Sequence, residues 1–271
     1  MEWFQKLKQR ESDYLIKVVS DTFANVAFQS PEDIASIAKI IVPILLNSTT
    51  LQDAQQAILA QYTESQELAI KNFHKVRAER IAAEVGQKLR SSQMMPGATV
   101  LDIGCGNGIV AAHLNNQGYQ VTCADIDDYR AEVAKTLPFI QINAGQDDYA
   151  LVKGQWDASL LLYVLHHMPE KEQEILLHQI FHSDIHNLLI YEDAHDNQDY
   201  HADIDGISNI FLQTKDMDSF VVPMPCSYKS TQQWKNLFEL INPDGSLLKL
   251  QRQGKPSSGQ KEINHYFVLS C

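Results

Sequence analysis

The fold of this chain is decided by Val100-Leu101-Asp102-Ile103-Gly104-Cys105-Gly106-Asn107-Gly108, an apolar run that ends in an acid and three alternate glycines. The start of this run predicts a short buried strand, and the apolar residues from Ile109 to Leu114 predict a helix directly after it. A strand that stops in such a loop before a helix opens a βαβ unit. Glycines suit the loop because it must turn tightly and let a ligand approach the backbone with no Cβ in the way.

The spacing of the glycines indicates the ligand. The dinucleotide fingerprint G-x-G-x-x-G would need a glycine at position 109, which is Ile109 here. The string resembles motif I of the class I S-adenosylmethionine (SAM)-dependent methyltransferases. The resemblance implies that Gly104, Cys105 and Gly106 wrap the amino-acid portion of SAM, while Asp102 helps to hold its ammonium group. A plain strand-to-helix turn is the alternative interpretation.

Composition limits the partners. The chain has 271 residues and a net charge of −12, with no basic run, so nucleic acid is a disfavoured partner. The four cysteines form no C-x-x-C pair, which fits a reducing compartment. Residues 1–10 lack the apolar core of a signal peptide, and the apolar run at 37–46 is too short to span a bilayer. We therefore expect a cytoplasmic protein with no membrane partner.

Residues 1–75 are predicted to be a helical N-terminal lid, followed by a methyltransferase domain over residues 76–271. Apolar spacing predicts a helix from Asp13 to Phe28, and Pro31 begins a second helix that Pro43 should kink or end. Thr50 begins a third helix, and a fourth covers roughly residues 66–89. Helices this apolar must pack on something. We expect them either to cover the strand tips as a lid or to pair with a second copy in a homodimer.

From residue 98 onward strands alternate with helices, which is typical of a parallel sheet covered on both faces. With the family resemblance, this predicts an α/β fold: a Rossmann-like, doubly wound, mainly parallel seven-stranded sheet with an all-helical N-terminal extension. Ligands of such sheets bind at the carboxyl ends of the strands. The predicted strands are Thr99–Ile103, Gln120–Ala124, Phe139–Asn143, Ala158–Leu162 and Asn187–Glu192, with a helix over Glu170–Phe181 before the last of these.

Asp125 ends the second predicted strand, where a carboxylate can bind both ribose hydroxyls. It matches the motif II acid of the same family, and an exposed turn aspartate is the alternative. The resemblance further implies that Ile126 packs on the adenine, that Asn143 and Ala144 lie near the adenine amino group, and that Leu162 lines the cofactor site.

The stretch from Trp156 to Pro169 resembles the strand-four motif of the small-molecule methyltransferase branch, which includes quinone-biosynthesis enzymes. In the family the acceptor lies here, beside the SAM methyl group. Histidine titrates near neutrality, so His166 is our candidate for a catalytic base or a substrate hydrogen-bond partner, together with Tyr163. His167 is predicted to be structural, and catalysis by proximity alone is the alternative.

Some quinone methyltransferases of this branch bind a divalent metal through Glu-x-x-Glu-His at this position. This chain has Tyr163-x-x-His166-His167, which lacks both carboxylate ligands, so we predict no metal.

The sequence therefore predicts an enzyme that transfers a methyl group from SAM to a small-molecule acceptor. The alternatives are a protein methyltransferase and a non-catalytic SAM-fold binding or regulatory partner, but a degenerate partner would be expected to lose the glycines or Asp125. The acceptor and its reacting atom stay open. So does the role of the Asp- and His-rich segment 192–205, which is either a solvated loop or a segment that folds over the substrate.

Overall fold

A computed structural model of the chain describes residues 2–24, 31–142, 155–181, 183, 185, 187–194, 197–211, 227–241, 247–253 and 264–270. Contacts within the chain divide it into two compact units. The helical unit comprises Met1–Val76 and Asn197–Pro225, and the sheet unit comprises Arg77–Asp196 and Cys226–Cys271. The helical unit is thus built from two separate stretches of sequence, whereas the sequence predicted a single N-terminal one.

The helical unit contains α1 (Glu2–Lys8), α2 (Ser12–Ala24), α3 (Pro31–Asn47), α4 (Leu51–Leu59), α8 (Gln198–Phe211) and the first residues of α5 (Glu64–Ser91). A capping box begins α4. Thr50 Oγ1 accepts from the Asp53 amide at 3.1 Å, and the Asp53 carboxylate accepts from the Thr50 amide at 3.0 Å. Helix α3 does not end at Pro43 but continues to Asn47, which leaves a kink as the remaining form of that prediction. Buried residues on either side, Ile41 and Leu45, hold it in the core.

Helix α8 shares one apolar core with the N-terminal helices. Ile207 and Ile210 are buried in the same cluster as Leu15 of α2. Asp203 is 3% exposed and accepts hydrogen bonds from Trp3 Nε1 at 3.0 Å and the Tyr14 hydroxyl at 2.7 Å. From Gln198 onward the Asp- and His-rich segment is therefore a helix anchored by a buried carboxylate and not a solvated loop; His195 and Asp196 lie outside the described residues.

The sheet unit is an α/β structure. Its strands are β1 (Thr99–Ile103), β2 (Gln120–Asp125), β3 (Phe139–Gln141), β4 (Ala158–Leu162), β5 (Asn187–Asp193), β6 (Leu247–Gln253) and β7 (Asn264–Ser270), in the order β3-β2-β1-β4-β5-β7-β6. The pairs among β1 to β5 are parallel, and β7 runs antiparallel to both β5 and β6. The prediction of a mainly parallel α/β sheet is confirmed for these five parallel strands.

Helices cover both faces of the parallel strands. On one face, α6 (Ile109–Asn116) and the later part of α5 pack on the sheet through buried residues that include Val85 and Leu114. On the other, α7 (Glu170–Phe181) and α9 (Thr231–Ile241) pack through Leu177 and Trp234. Side chains alternate between the two faces, so β1 and β4 are buried on both. In a parallel sheet covered on both faces, ligands bind at the carboxyl ends of the strands.

Among the described helices, none has the length and apolar character needed to cross a bilayer.

Candidate functional site

The glycine loop, Gly104–Gly108, leaves β1 in a conformation that favours glycine. Gly104, Gly106 and Gly108 have φ values of 71°, 53° and 67°. The amides of Gly104 and Cys105 both donate to the Ala124 carbonyl oxygen, at 2.7 and 3.1 Å. These bonds fix the start of the loop against the end of β2.

The glycine loop is also closely packed on two sides. A Cβ added at Gly104 would lie 2.6 Å from Val164 Cγ2, in the turn after β4. A Cβ added at Gly108 would lie 2.7 Å from the Ala134 Cβ, in the segment after β2. The absence of side chains is therefore required at both ends of the loop, for steric as well as conformational reasons.

Asp125 joins the end of β2 to the middle of the glycine loop. Its Oδ2 accepts from the Gly106 amide at 2.8 Å, and its Oδ1 accepts from the Ile126 amide at 2.7 Å. Each carboxylate oxygen has a second lone pair, so both can still accept a hydroxyl proton from a ribose. Burial raises the pKa of Asp125, and the two amides partly oppose that rise. Ile126, the predicted adenine contact, is half-buried beside it.

Asp102 makes the site favourable for a cation. The side chain is buried near the end of β1, and burial together with the charge of Asp125 raises its pKa to about 7. A cation bound nearby would stabilise both carboxylates. The Cys105 thiol adds no negative charge, because its hydrogen bond with Cys123 and its burial raise its pKa. SAM, with a sulfonium and an ammonium group, fits this pair of acids.

The turn after β4, Tyr163–His166, begins with an unusual backbone. Tyr163 has a φ of 61°, which is uncommon for a non-glycine residue, and its amide donates to the Tyr191 carbonyl oxygen at 2.7 Å. The Arg77 guanidinium carbon lies 5.2 Å from the centre of the Tyr163 ring. Leu162 precedes it as the last residue of β4 and is half-buried, as is Tyr163.

His166, the predicted base, is only 2% exposed. Its Nδ1 lies 2.6 Å from Glu192 Oε2, and its ring stacks on Tyr228 with the ring centres 5.0 Å apart. The His167 ring is adjacent, at 4.2 Å. A proton-accepting role for His166 would have to use Nε2, because Nδ1 faces the carboxylate. The role of His166 as a base stays a prediction.

Glu192 is the functional candidate that the sequence analysis missed. It is fully buried on β5, where its Oε1 accepts from the amides of Val164 at 3.0 Å and Leu165 at 2.7 Å. The available signal was an acid at the carboxyl end of a predicted strand, the same signal that identified Asp125.

Two predicted cofactor contacts, Asn143 and Ala144, lie outside the described residues. In the parts of the chain that the structure describes, no group of three or more His, Cys, Asp or Glu side chains could hold a metal ion.

The sequence of this chain is similar to those of known methyltransferases. Residues 100–183 match the model of a methyltransferase domain family. A ubiquinone biosynthesis O-methyltransferase of Xanthomonas campestris is 29% identical over 102 residues, which cover 35% of this chain and 39% of that protein. The match therefore spans well under half the length of this curated relative.

Two solved structures share the fold. The 1,6-didemethyltoxoflavin-N1-methyltransferase of Burkholderia thailandensis, crystallised with 1,6-didemethyltoxoflavin and S-adenosylhomocysteine (SAH), has a TM-score of 0.50 at 15% identity, covering 90% of this chain and 91% of that one. The magnesium protoporphyrin IX methyltransferase of Synechocystis, with bound SAM, has a TM-score of 0.50 at 15% identity, covering 86% and 96%. Residues 100–183, which contain the glycine loop and both acids, are thus a methyltransferase domain, and the chain has the fold of these two SAM- and SAH-bound methyltransferases.

Proposed function

We propose that this chain transfers a methyl group from SAM to a small-molecule acceptor. The observation that carries the proposal is the set of contacts that join Asp125 to the glycine loop, beside the buried Asp102. In this proposal the loop backbone and Asp102 bind the amino-acid portion of SAM, Asp125 binds the ribose hydroxyls, and Ile126 packs on the adenine. Bound SAM supplies an electrophilic methyl group on a sulfonium.

The chain's main contribution to the reaction is to hold the acceptor atom in line with that methyl group. The turn after β4 lies at the carboxyl end of the sheet, next to the glycine loop, so Tyr163 is the proposed acceptor contact. A base is needed only when the acceptor must lose a proton during transfer. His166 is our candidate for the base that would take this proton.

A small acceptor is supported by the relatives. The curated relative is named for ubiquinone biosynthesis, and the two solved structures are named for a toxoflavin precursor and a magnesium porphyrin. The net charge of −12 argues against a nucleic-acid acceptor. A protein acceptor and a non-catalytic binding role are the alternatives. The role of residues 1–75 as a lid, or as the contact in a homodimer, stays a prediction.

Calorimetry with SAM, SAH and NAD tests the cofactor. We expect SAM and SAH to bind and NAD not to bind; binding of NAD without SAM or SAH would refute the proposal. Transfer is then measured with SAM carrying a radiolabelled methyl group, against a panel of small phenols, heteroaromatic amines and carboxylic acids and against a protein extract. Label that appears only in protein would favour the protein methyltransferase. Binding of SAH with no transfer to either would favour a non-catalytic partner.

A further inference from the structure

The turn after β4 is fixed at both ends by buried side chains from other elements. At its start, Glu192 accepts hydrogen bonds from the consecutive amides of Val164 and Leu165. At its end, the Gln173 side-chain amide of α7 donates to the Leu165 carbonyl oxygen at 2.7 Å. Leu165 begins a short 3-10 helix whose own N-cap residue, Val164, makes no side-chain cap. Glu192 therefore caps this helix from the neighbouring strand.

The second oxygen of the same carboxylate is held by His166. Glu192 is fully buried, and such a carboxylate is stable only when hydrogen bonds replace its hydration. Its two oxygens face the two backbone amides and the His166 ring nitrogen at 2.6 Å. The Ser227 amide in turn donates to the His166 carbonyl oxygen at 3.1 Å. Glu192 is thus bonded to three consecutive residues of the turn, Val164, Leu165 and His166.

The turn packs against the glycine loop through the Val164 side chain. The Val164 side chain occupies the space that a Cβ on Gly104 would need, at 2.6 Å, so any shift of the turn changes the packing of the loop. We propose that Glu192 is a positioning residue of the cofactor site, which fixes the turn after β4 and, through Val164, the shape of the glycine loop. The inference rests on the proposed function, because the loop is taken to bind SAM.

Substitutions of Glu192 separate this role from general stability. Glu192→Ala leaves the buried Leu165 amide and the part-buried Val164 amide without this acceptor, so the turn is expected to move to satisfy them. Glu192→Gln keeps an acceptor oxygen for the amides, and its NH₂ can donate to the other tautomer of His166. The matched control is the pair Glu174→Ala and Glu174→Gln, at an exposed acid on α7.

The experiment is calorimetric titration of the full chain with SAH, which reports affinity and the binding-competent fraction separately. We expect the Kd of Glu192→Ala to rise about tenfold, equivalent to about 1.4 kcal/mol. We expect Glu192→Gln to stay within about threefold of the wild type, and both Glu174 variants to match it. If Glu192→Ala does not fold, Glu192→Asp, whose shorter side chain cannot span both partners, gives the same comparison.

Variants of His166 test the hydrogen bond between its ring and Glu192. The Asn amide nitrogen takes roughly the place of Nδ1, whereas a Gln amide lies near Nε2. Positioning through Glu192 therefore requires that His166→Asn bind SAH nearly as the wild type does, and that His166→Gln bind it more weakly. The double variant Glu192→Ala/His166→Ala should bind no more weakly than Glu192→Ala alone, because residues that act as one unit are not additive.

Two results would overturn the inference. If Glu192→Ala binds SAH with the wild-type Kd and only the fraction of protein able to bind is lower, then Glu192 contributes to stability and not to positioning. Equal loss in His166→Asn and His166→Gln would remove the role of Nδ1. A wild-type chain that binds no SAH would instead refute the proposed function, and this inference with it.

Discussion

The Asp125 carboxylate and the Gly106 amide are 2.8 Å apart, so the acid at the end of β2 both shapes the glycine loop and faces the proposed ribose. Asp125→Ala should weaken SAM binding by about 1.5–3 kcal/mol, the usual range for hydrogen bonds to a charged group. Asp127→Ala, at an exposed acid two residues later, is the control and should change little. Calorimetry with SAM gives both values. Equal affinities for the two variants would mean that the ribose binds elsewhere.

Asp102 makes stability depend on pH. A carboxyl whose pKa is raised to about 7 by folding favours the folded state while it is protonated, and that contribution is lost as the pH rises from about 4 to 7. Asp102→Asn should therefore stabilise the ligand-free chain at pH 8, by on the order of 1–4 kcal/mol, with a smaller gain at pH 5. Urea unfolding at the two pH values measures this. A gain that does not change with pH would contradict the raised pKa.

Binding of SAH should lower the raised pKa of Asp102. In the proposed site the ammonium group of SAH lies near Asp102 and favours its charged form, so SAH binding near pH 6.5 should release protons. Titrations in two buffers with different ionisation enthalpies measure the number released. Asp102→Asn should release fewer, and equal release from the wild type and this variant would assign the protons to another group.

Gly104→Ala should destabilise the folded chain more than the same substitution at Gly97. Gly97 also has a positive φ, of 100°, but a Cβ there would meet nothing within 4 Å. Gly97→Ala should therefore cost only the backbone penalty of about 1–2 kcal/mol, whereas Gly104→Ala adds about 1–3 kcal/mol from the clash with Val164. Chemical unfolding compares the two. Adding Val164→Ala to Gly104→Ala should recover part of the clash, and no recovery would mean that Val164 does not set the packing.

In the helical unit, two acids one turn apart on α8 should differ strongly in how much their replacement by alanine destabilises the chain. Asp203 is buried and binds Trp3 and Tyr14, so Asp203→Ala should destabilise the chain by about 2–5 kcal/mol. The Asp199 side chain is 83% exposed and meets Arg10 at 3.4 Å, so Asp199→Ala should cost less than about 1 kcal/mol. Thermal unfolding compares them. Similar losses would show that Asp203 is not an anchor.

Features encoded within a few residues were predictable from the sequence. The bounds of β1, β4 and α7 agree with the prediction, because apolar patterning and flanking breakers are local signals. The glycine loop was predictable for the same reason, since its positive φ angles favour glycine at three alternate positions.

Features that depend on distant residues were not predictable. Glu192 bonds Val164 and Leu165 from another strand, and Asp203 bonds Trp3, which lies 200 residues earlier in the chain. No spacing rule relates such pairs. Local rules also left two outcomes open at Pro43, and the helix does not end there because the buried residues on both sides hold it in the core.

The discontinuity of the helical unit has a consequence for synthesis of the chain. Ile207 and Ile210 complete the core that begins with Phe4, so this core stays incomplete during translation until α8 has been synthesised. At about 5–20 residues per second, α8 follows α4 after on the order of ten seconds or more. Strands β1 to β5 are translated during that interval, before the helical unit can be completed.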